Sequence, residues 1–195
     1  MKEKPCPICG KIHVGKPDPY YNEGTNENKK YAFIFSCPGR FEKDSGYPVS
    51  GETGNIFNLV LENLEIKEKK QCRYEFRITN ATTNVEFKTE GGTGRTQAKN
   101  SEVLDPNNIE RLLEEVKDCD KIICFGAKAR LAVSKMAKEY PGIIKEDTIC
   151  VNHLSPMAFI RLPEVARTRI GIAGHICKCI LDEKYQLKNI NKKRK

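Results

Sequence analysis

At 195 residues the chain is long enough to bury one sizeable core, and 31% charged with 38% hydrophobic residues is the balance of an ordinary folded domain. A net charge of +8 favours a polyanionic partner, because Lys and Arg that neutralise phosphates release counterions, although charges scattered over a solvated surface give the same sum. No apolar run reaches membrane-spanning length, and the opening Met-Lys-Glu-Lys-Pro-Cys carries no apolar signal core, so a cytoplasmic protein without membrane contact is expected.

The first feature in chain order is Cys6-Pro-Ile-Cys9-Gly-Lys-Ile-His13. Two thiolates three residues apart, turned by Pro and Gly, fit adjacent corners of a tetrahedral metal, and His13 reaches a third, which points to a structural zinc on Cys6, Cys9 and His13. The fourth ligand is not adjacent; Cys37, Cys72 or the His175 and Cys179 pair, one helical turn apart, are the candidates. A surface turn with two free thiols has the same sequence. The nine cysteines are an odd set and should be mostly reduced, with Cys124 and Cys150 packing as small hydrophobes inside apolar runs.

Residues 1–30 form the knuckle and a Pro-, Asn- and charge-rich linker, and the ordered domain is expected over 31–187, followed by a basic tail, 188–195. Tyr31 to Phe35 is an aromatic and β-branched run suited to a buried strand, broken by Pro38 and Gly39 where backbone N–H groups can face a ligand. Ile56, Leu59, Val60 and Leu64 recur at helical spacing, and Tyr74 to Thr79 alternates as a strand ending at Asn80. Lys88 to Asn100 is Gly-, Thr- and Lys-rich and reads as a mobile, solvated insertion; its Gly91-Gly-Thr-Gly94-Arg-Thr lacks the Gly-Lys-Ser/Thr ending of a phosphate-binding P-loop. Asp105 caps and Pro106 opens a helix with a stripe of Ile109, Leu112, Leu113 and Val116. Lys121 to Phe125 is a strand turned by Gly126, Ala127 to Tyr140 a helix stopped by Pro141-Gly142, Thr148 to Val151 a fourth strand, and about Pro163 to Tyr185 a long closing helix.

Strands alternating with helices at this spacing predict an α/β fold, a three-layer α/β/α arrangement around a central four-stranded parallel sheet, with ligands bound beyond the strand C-terminal ends. Ser36, Asn80, Gly126 and His153 all stand at such ends. Ser, Asn and Gly also punctuate strand ends as turn residues, so the histidine is the more informative of these.

Five segments, Phe35-Ser-Cys-Pro-Gly39, Gly46-Tyr-Pro-Val-Ser-Gly51-Glu-Thr-Gly54, Ile78-Thr-Asn80, Ile122-Ile-Cys-Phe-Gly126-Ala and His153-Leu-Ser155-Pro, resemble the uracil-DNA glycosylase superfamily in order and spacing. The similarity runs from about Tyr31 to the C-terminal helix and is closest to the bacterial and archaeal branch with Gly-Glu-Ala-Pro-Gly, Gly-x-Pro-Phe-x-Gly, Ile-Thr-Asn and His-Pro-Ser motifs. The iron–sulfur relatives carry further cysteines after the Ile-Thr-Asn strand; Ala81-Thr-Thr-Asn84 has none, so no iron–sulfur cluster is expected.

The resemblance implies that Asn80 reads a base edge, that His153 hydrogen-bonds a flipped uracil and stabilises the leaving anion, and that Ser155 with its loop backbone holds DNA phosphates. Cys37, Gly39, Glu42 and Val49 fall on the matching substrate-facing stretches. Three positions depart from the pattern: Leu154 replaces a proline, Val49 stands where a stacking Phe is usual, and Ser36 stands where active relatives carry Glu, Asp or Asn. Hydrolysis builds positive charge on the sugar, which a carboxylate steadies and a serine does not; Glu42 and Asp44 are the nearest replacements. The expected function is therefore a monomeric glycosylase-like protein that binds single- or double-stranded DNA and excises uracil or a damaged base. The alternatives are a non-catalytic nucleic-acid-binding relative, or a zinc-stabilised domain for a free nucleotide or a protein.

Overall fold

The structure, a computed structural model, describes residues 6, 9–10, 18–25, 30–66, 72–145, 147–160 and 168–192. Four strands, β1 (Tyr31–Phe35), β2 (Arg77–Asn80), β3 (Lys121–Phe125) and β4 (Ile149–Val151), form one all-parallel sheet in the order β2-β1-β3-β4. Between them run α1 (Arg40–Ser45), α2 (Gly51–Asn63), α3 (Asn100–Val103), α4 (Pro106–Val116) and α5 (Ala127–Glu139), with α6 (Arg169–Leu181) and α7 (Leu187–Lys192) after β4.

Because strand side chains alternate, each strand feeds two cores. Phe33 and Phe35 face one side with Ile123, Phe125, Ile149 and Val151, where α2 (Ile56, Phe57, Val60) and α6 (Ile172, Ile176) cover them. Ala32 and Ile34 face the other with Ile122, Cys124 and Cys150, beneath α4 (Ile109, Leu112, Val116) and α5 (Ala129, Val133, Met136). This is the α/β/α sandwich expected from the sequence. β1, β3 and β4 are apolar almost throughout, as strands buried on both faces are, whereas the edge strand β2 reads Arg-Ile-Thr-Asn.

Chain order moves from β1 outward to β2, then returns to place β3 on the other side of β1. The helices following β1 and β3 consequently lie on opposite faces, and the loops leaving those two strands splay apart to open a crevice between them.

Both sheet edges are closed. Asn22 forms an antiparallel bridge to Ile78, exchanging N–H···O bonds of 2.8 and 2.9 Å, and its buried side chain donates to the carbonyls of Tyr74 and Phe76. On the far edge Gln186 bridges Ile149, and Leu187 donates its N–H to Thr148.

Three elements differ from their sequence-based outlines. The stretch read as a strand from Tyr74 begins as a 3-10 turn, Arg73–Glu75, and β2 starts only at Arg77, because buried Arg73 is turned inward toward α2. The closing helix is described from Arg169, where the Thr168 hydroxyl caps the Gly171 N–H at 3.1 Å, and it stops at Leu181 because Asp182 leaves helical geometry to cap the turn Glu183–Tyr185. The stretch read as a basic tail is helical over Leu187–Lys192, anchored by buried Leu187.

Among the described residues no helix is long and apolar enough to cross a membrane.

Candidate functional site

A cavity of about 610 Å³ opens at the crevice, within the size range of small-molecule sites. Ser36, Cys37, Gly39, Glu42, Val49, Asn80, His153 and Ser155, from four separate stretches of chain, all line it, together with Gly126 from another.

The floor is tightest between β1, β3 and β4. Gly126 has φ +97, and a Cβ there would stand 3.0 Å from Ser36 Oγ and 3.2 Å from His153 Cβ, so only glycine lets these two approach the same point. His153 packs edge-on to Phe35 at 6.2 Å, on an aromatic stack in which Phe35 and Phe125 lie 4.7 Å apart. That apolar backing removes solvent and lowers the His153 pKa to about 4, so the imidazole is neutral near pH 7. The Ser155 N–H donates to His153 Nδ1 at 3.0 Å, which places the ring proton on Nε2. A neutral donor with a fixed tautomer results.

Asn80 ends β2 and is 2% exposed. Its Nδ2 donates to the Tyr20 carbonyl at 3.0 Å, while its own carbonyl accepts from Arg111 at 2.9 Å. One amide N–H is thereby held, leaving the side-chain carbonyl and the second N–H for a ligand.

Glu42 faces the cavity wall from α1, but both of its oxygens are engaged: Oε2 accepts from Gly39 N–H at 2.8 Å and Oε1 from Ser50 N–H at 2.7 Å. Burial raises its pKa, opposed by those two N–H groups and by Arg73. Its geometry is that of a brace between the β1 turn and the Val49 turn. Asp44 instead pairs with Arg40 on the exposed side of α1, and does not line the cavity. The Cys37 thiol, pushed up to about 11 by burial, is a neutral wall group.

The stretch read as a solvated insertion, Lys88 to Asn100, contributes Lys88, Thr96 and Gln97 to the wall, and Glu86 just before it also lines the cavity. Buried Glu86 organises this wall, accepting from Thr93 and from Arg95, which also pairs with Glu102 at 3.0 Å. The opposite charges flanking the glycines, Glu86 and Arg95, were the available sequence signal. Lys128 on α5 and Met157, 71% exposed after the His153 loop, complete a rim that sequence reasoning did not reach.

The second constellation is the knuckle. Gly10 N–H closes its turn onto the Cys6 carbonyl at 2.9 Å, and the sulfurs of Cys6, Cys9 and Cys72 lie within 4.8 Å of one another. A tetrahedral ion with metal–sulfur bonds of about 2.3 Å requires sulfurs about 3.8 Å apart; Cys6 and Cys72 stand 3.7 Å apart, and none of the nine cysteines is in a disulfide. The set fits a metal ion. Of the candidates for a further ligand, Cys72 is the one brought in; Cys37 lines the cavity, and Cys179 pairs with His175 at 3.6 Å on α6. His13 lies outside the described residues.

The profile of the Uracil DNA glycosylase superfamily matches residues 22–168, well over half of the chain. The chain belongs to that superfamily. The matched span contains every strand and every cavity residue named above, whereas Cys6 and Cys9 precede it. No individual curated protein matches the chain.

Proposed function

We propose that this superfamily member binds DNA, draws one base out of the stack into the cavity, and cleaves its N-glycosidic bond by stabilising the departing base. The observation that carries this reading is His153: neutral, with Nδ1 held by Ser155, it has an Nε2–H donor at the floor of a cavity whose other polar reader is Asn80. As the C1′–N bond breaks, its electron pair moves onto the base, and a fixed donor is worth most where that negative charge develops. Water then adds to the sugar cation and loses a proton, giving an abasic site and the free base.

The same geometry predicts slow chemistry. Ser36 has no charge to steady the sugar cation, and the Glu42 oxygens are committed to Gly39 and Ser50. Those two facts favour, as a second reading, a relative that captures a base without excising it. Val49 in place of an aromatic stacking residue leaves the base held mainly by hydrogen bonds. Met157 on the rim suits the apolar wedge that fills the vacated place in the stack, and Ser155, Lys88 and Lys128 suit the flanking phosphates.

We assign zinc to Cys6, Cys9 and Cys72, with His13 as the further ligand, as a structural crosslink rather than a reactant. The resemblance of the motif set supports a relationship nearest the Gly-Glu-Ala-Pro-Gly branch, with a sulfur set of its own. Nine cysteines without a disulfide suit a reducing compartment such as the cytoplasm.

The test is excision from single- and double-stranded oligonucleotides carrying one uracil. Wild type should excise slowly, Ser36→Asp faster, and His153→Ala about a hundredfold more slowly than wild type, the scale of one transition-state donor. Tight uracil-dependent binding with no excision in wild type or Ser36→Asp selects the second reading. No binding at low salt rejects both.

A further inference from the structure

The sulfur site and the cavity meet through one buried side chain, Arg73. Cys72 leads directly into the turn Arg73–Glu75, so an ion held by Cys6, Cys9 and Cys72 fixes the backbone from which Arg73 projects. Arg73 is 3% exposed; Nη1 donates to the Gly54 carbonyl at 3.2 Å and Nη2 to the Tyr74 hydroxyl at 3.2 Å, and the guanidinium lies 4.9 Å over the Tyr74 ring. Its Nε has no hydrogen-bond partner among the described residues. These hydrogen-bond partners are neutral, and the charge already facing the buried guanidinium is the Glu42 carboxylate, whose ionised form Arg73 favours. Three thiolates on a divalent ion leave a net negative charge one residue away in the chain.

On its other side Arg73 abuts Gly54, next to the cavity-lining Thr53 on the first turn of α2. A Cβ on Gly54 would stand 2.5 Å from Nη2 and 2.2 Å from the Val49 carbonyl oxygen, so Arg73 and the Val49 turn close on the first turn of α2 from two directions. Val49 is held at φ +52, left-handed geometry that a β-branched residue does not adopt without support. The rest of the turn is tied to the same core: Tyr47 packs on Tyr74 at 4.9 Å, Ser50 Oγ donates to the Tyr47 carbonyl at 2.9 Å, and Ser50 N–H reaches Glu42, which also holds Gly39. Val49, Glu42, Gly39 and Thr53 all line the cavity.

We propose that Arg73 is a positioning residue through which metal occupancy at Cys6, Cys9 and Cys72 sets the shape of the Val49 wall. With the ion bound, the turn Arg73–Glu75 is fixed and the guanidinium holds Gly54 and the strained turn in register. Without it, Arg73 loses its backbone anchor, and the turn relaxes. Coupling of this kind is reciprocal, so a ligand that needs the ordered wall also tightens the metal by the same factor. The ligand half rests on the base-binding reading; the metal half does not.

The experiment is amide hydrogen exchange on the full chain, zinc-loaded and after chelation, followed in peptides covering 47–57. Chelation should speed exchange there at least about fivefold, the lower end of ordinary coupling. In Arg73→Met, assayed with its zinc content measured, the zinc dependence over 47–57 should vanish while α4 and α5 stay protected. Unchanged exchange over 47–57 on chelation of a folded wild type overturns the proposal, as does a zinc dependence that persists in Arg73→Met. If chelation exposes the whole chain, the zinc-loaded proteins decide: faster exchange in Arg73→Met confined to 47–57 supports the link, and exchange equal to wild type refutes it. A saturating single-stranded uracil oligonucleotide should raise zinc affinity, measured at equilibrium against a competing chelator, by the factor by which zinc raises affinity for the oligonucleotide. Failure of that oligonucleotide to bind would remove the base-binding reading alone, since the exchange result stands without DNA.

Discussion

Gly126→Ala tests whether the convergence of Ser36, Gly126 and His153 forms the working floor of the cavity. Gly126 sits at φ +97 and ψ 172, a region essentially reserved for glycine, which an L side chain occupies at a cost of about 1–3 kcal/mol. For a chain of this size each kcal/mol lowers the melting temperature by roughly 2–4 °C, so a loss of about 2–12 °C is expected. Beyond strain, the new Cβ would meet Ser36 Oγ at 3.0 Å and His153 at 3.2 and 3.4 Å, contacts tight enough to displace the histidine from its Ser155 hydrogen bond. Gly142→Ala is the matched control, since Gly142 has φ +90 with nothing within 4 Å of its Cβ position. Both variants should melt lower, by calorimetry, but only Gly126→Ala should lose uracil-oligonucleotide affinity, by more than about tenfold, the equivalent of 1.4 kcal/mol. Equal affinity in the two variants would refute the reasoning, because strain without crowding would then account for everything.

The neutral state of His153 makes a pH prediction. Its folded pKa of about 4 lies below the unfolded value of roughly 6.5, so the unfolded chain takes up the proton first; stability from this site is complete above the unfolded value and lost as pH falls through that window. Base binding should likewise hold from pH 7 down to about 5 and fall near 4, and a midpoint near 6.5 would show that the ring is not desolvated. If Lys88 and Lys128 contact phosphates, Lys88→Ala and Lys128→Ala should each reduce the slope of log affinity against log salt by about 1 without changing base preference; an unchanged slope removes them from the backbone track. Protein purified without chelator should carry about one zinc per chain, and Cys72→Ser should lose it as completely as Cys6→Ser does; full zinc retention in Cys72→Ser would exclude Cys72 from the ligand set.

The layer order and the location of the cavity were legible because they depend on periodicity and on strand ends. Tyr31 to Phe35, Lys121 to Phe125 and the Asp105-Pro106 helix start are local signals, and the structure keeps all three bounds. The wall formed by Glu86, Lys88, Thr96 and Gln97 was not legible, since its order comes from one buried carboxylate meeting Arg95 across a glycine-rich stretch without repeat. Arg73 escaped for a related reason: in an alternating Tyr74 to Thr79 pattern nothing marks the preceding arginine as buried, and its partners, Gly54 and Tyr74, become neighbours only after α2 has packed. Glu42 was visible as a cavity residue, but that both its oxygens serve backbone N–H groups depends on the fold of the Val49 turn.

The bridges that close the sheet also govern how this chain avoids its own kind. A parallel sheet with a bare edge offers a template for another strand, and the apolar edge strand β4, Ile-Cys-Val, is of the kind that makes such a union stick. Asn22 occupies that template on one side and Gln186 with Leu187 on the other, so the two segments that guard the sheet come from opposite ends of the sequence. Asn22 carries little apolar surface; its hold consists of four hydrogen bonds to Tyr74, Phe76 and Ile78. A fragment trimmed to the apolar strands and their helices would keep the core and the cavity, yet present two unguarded edges to every other copy in solution.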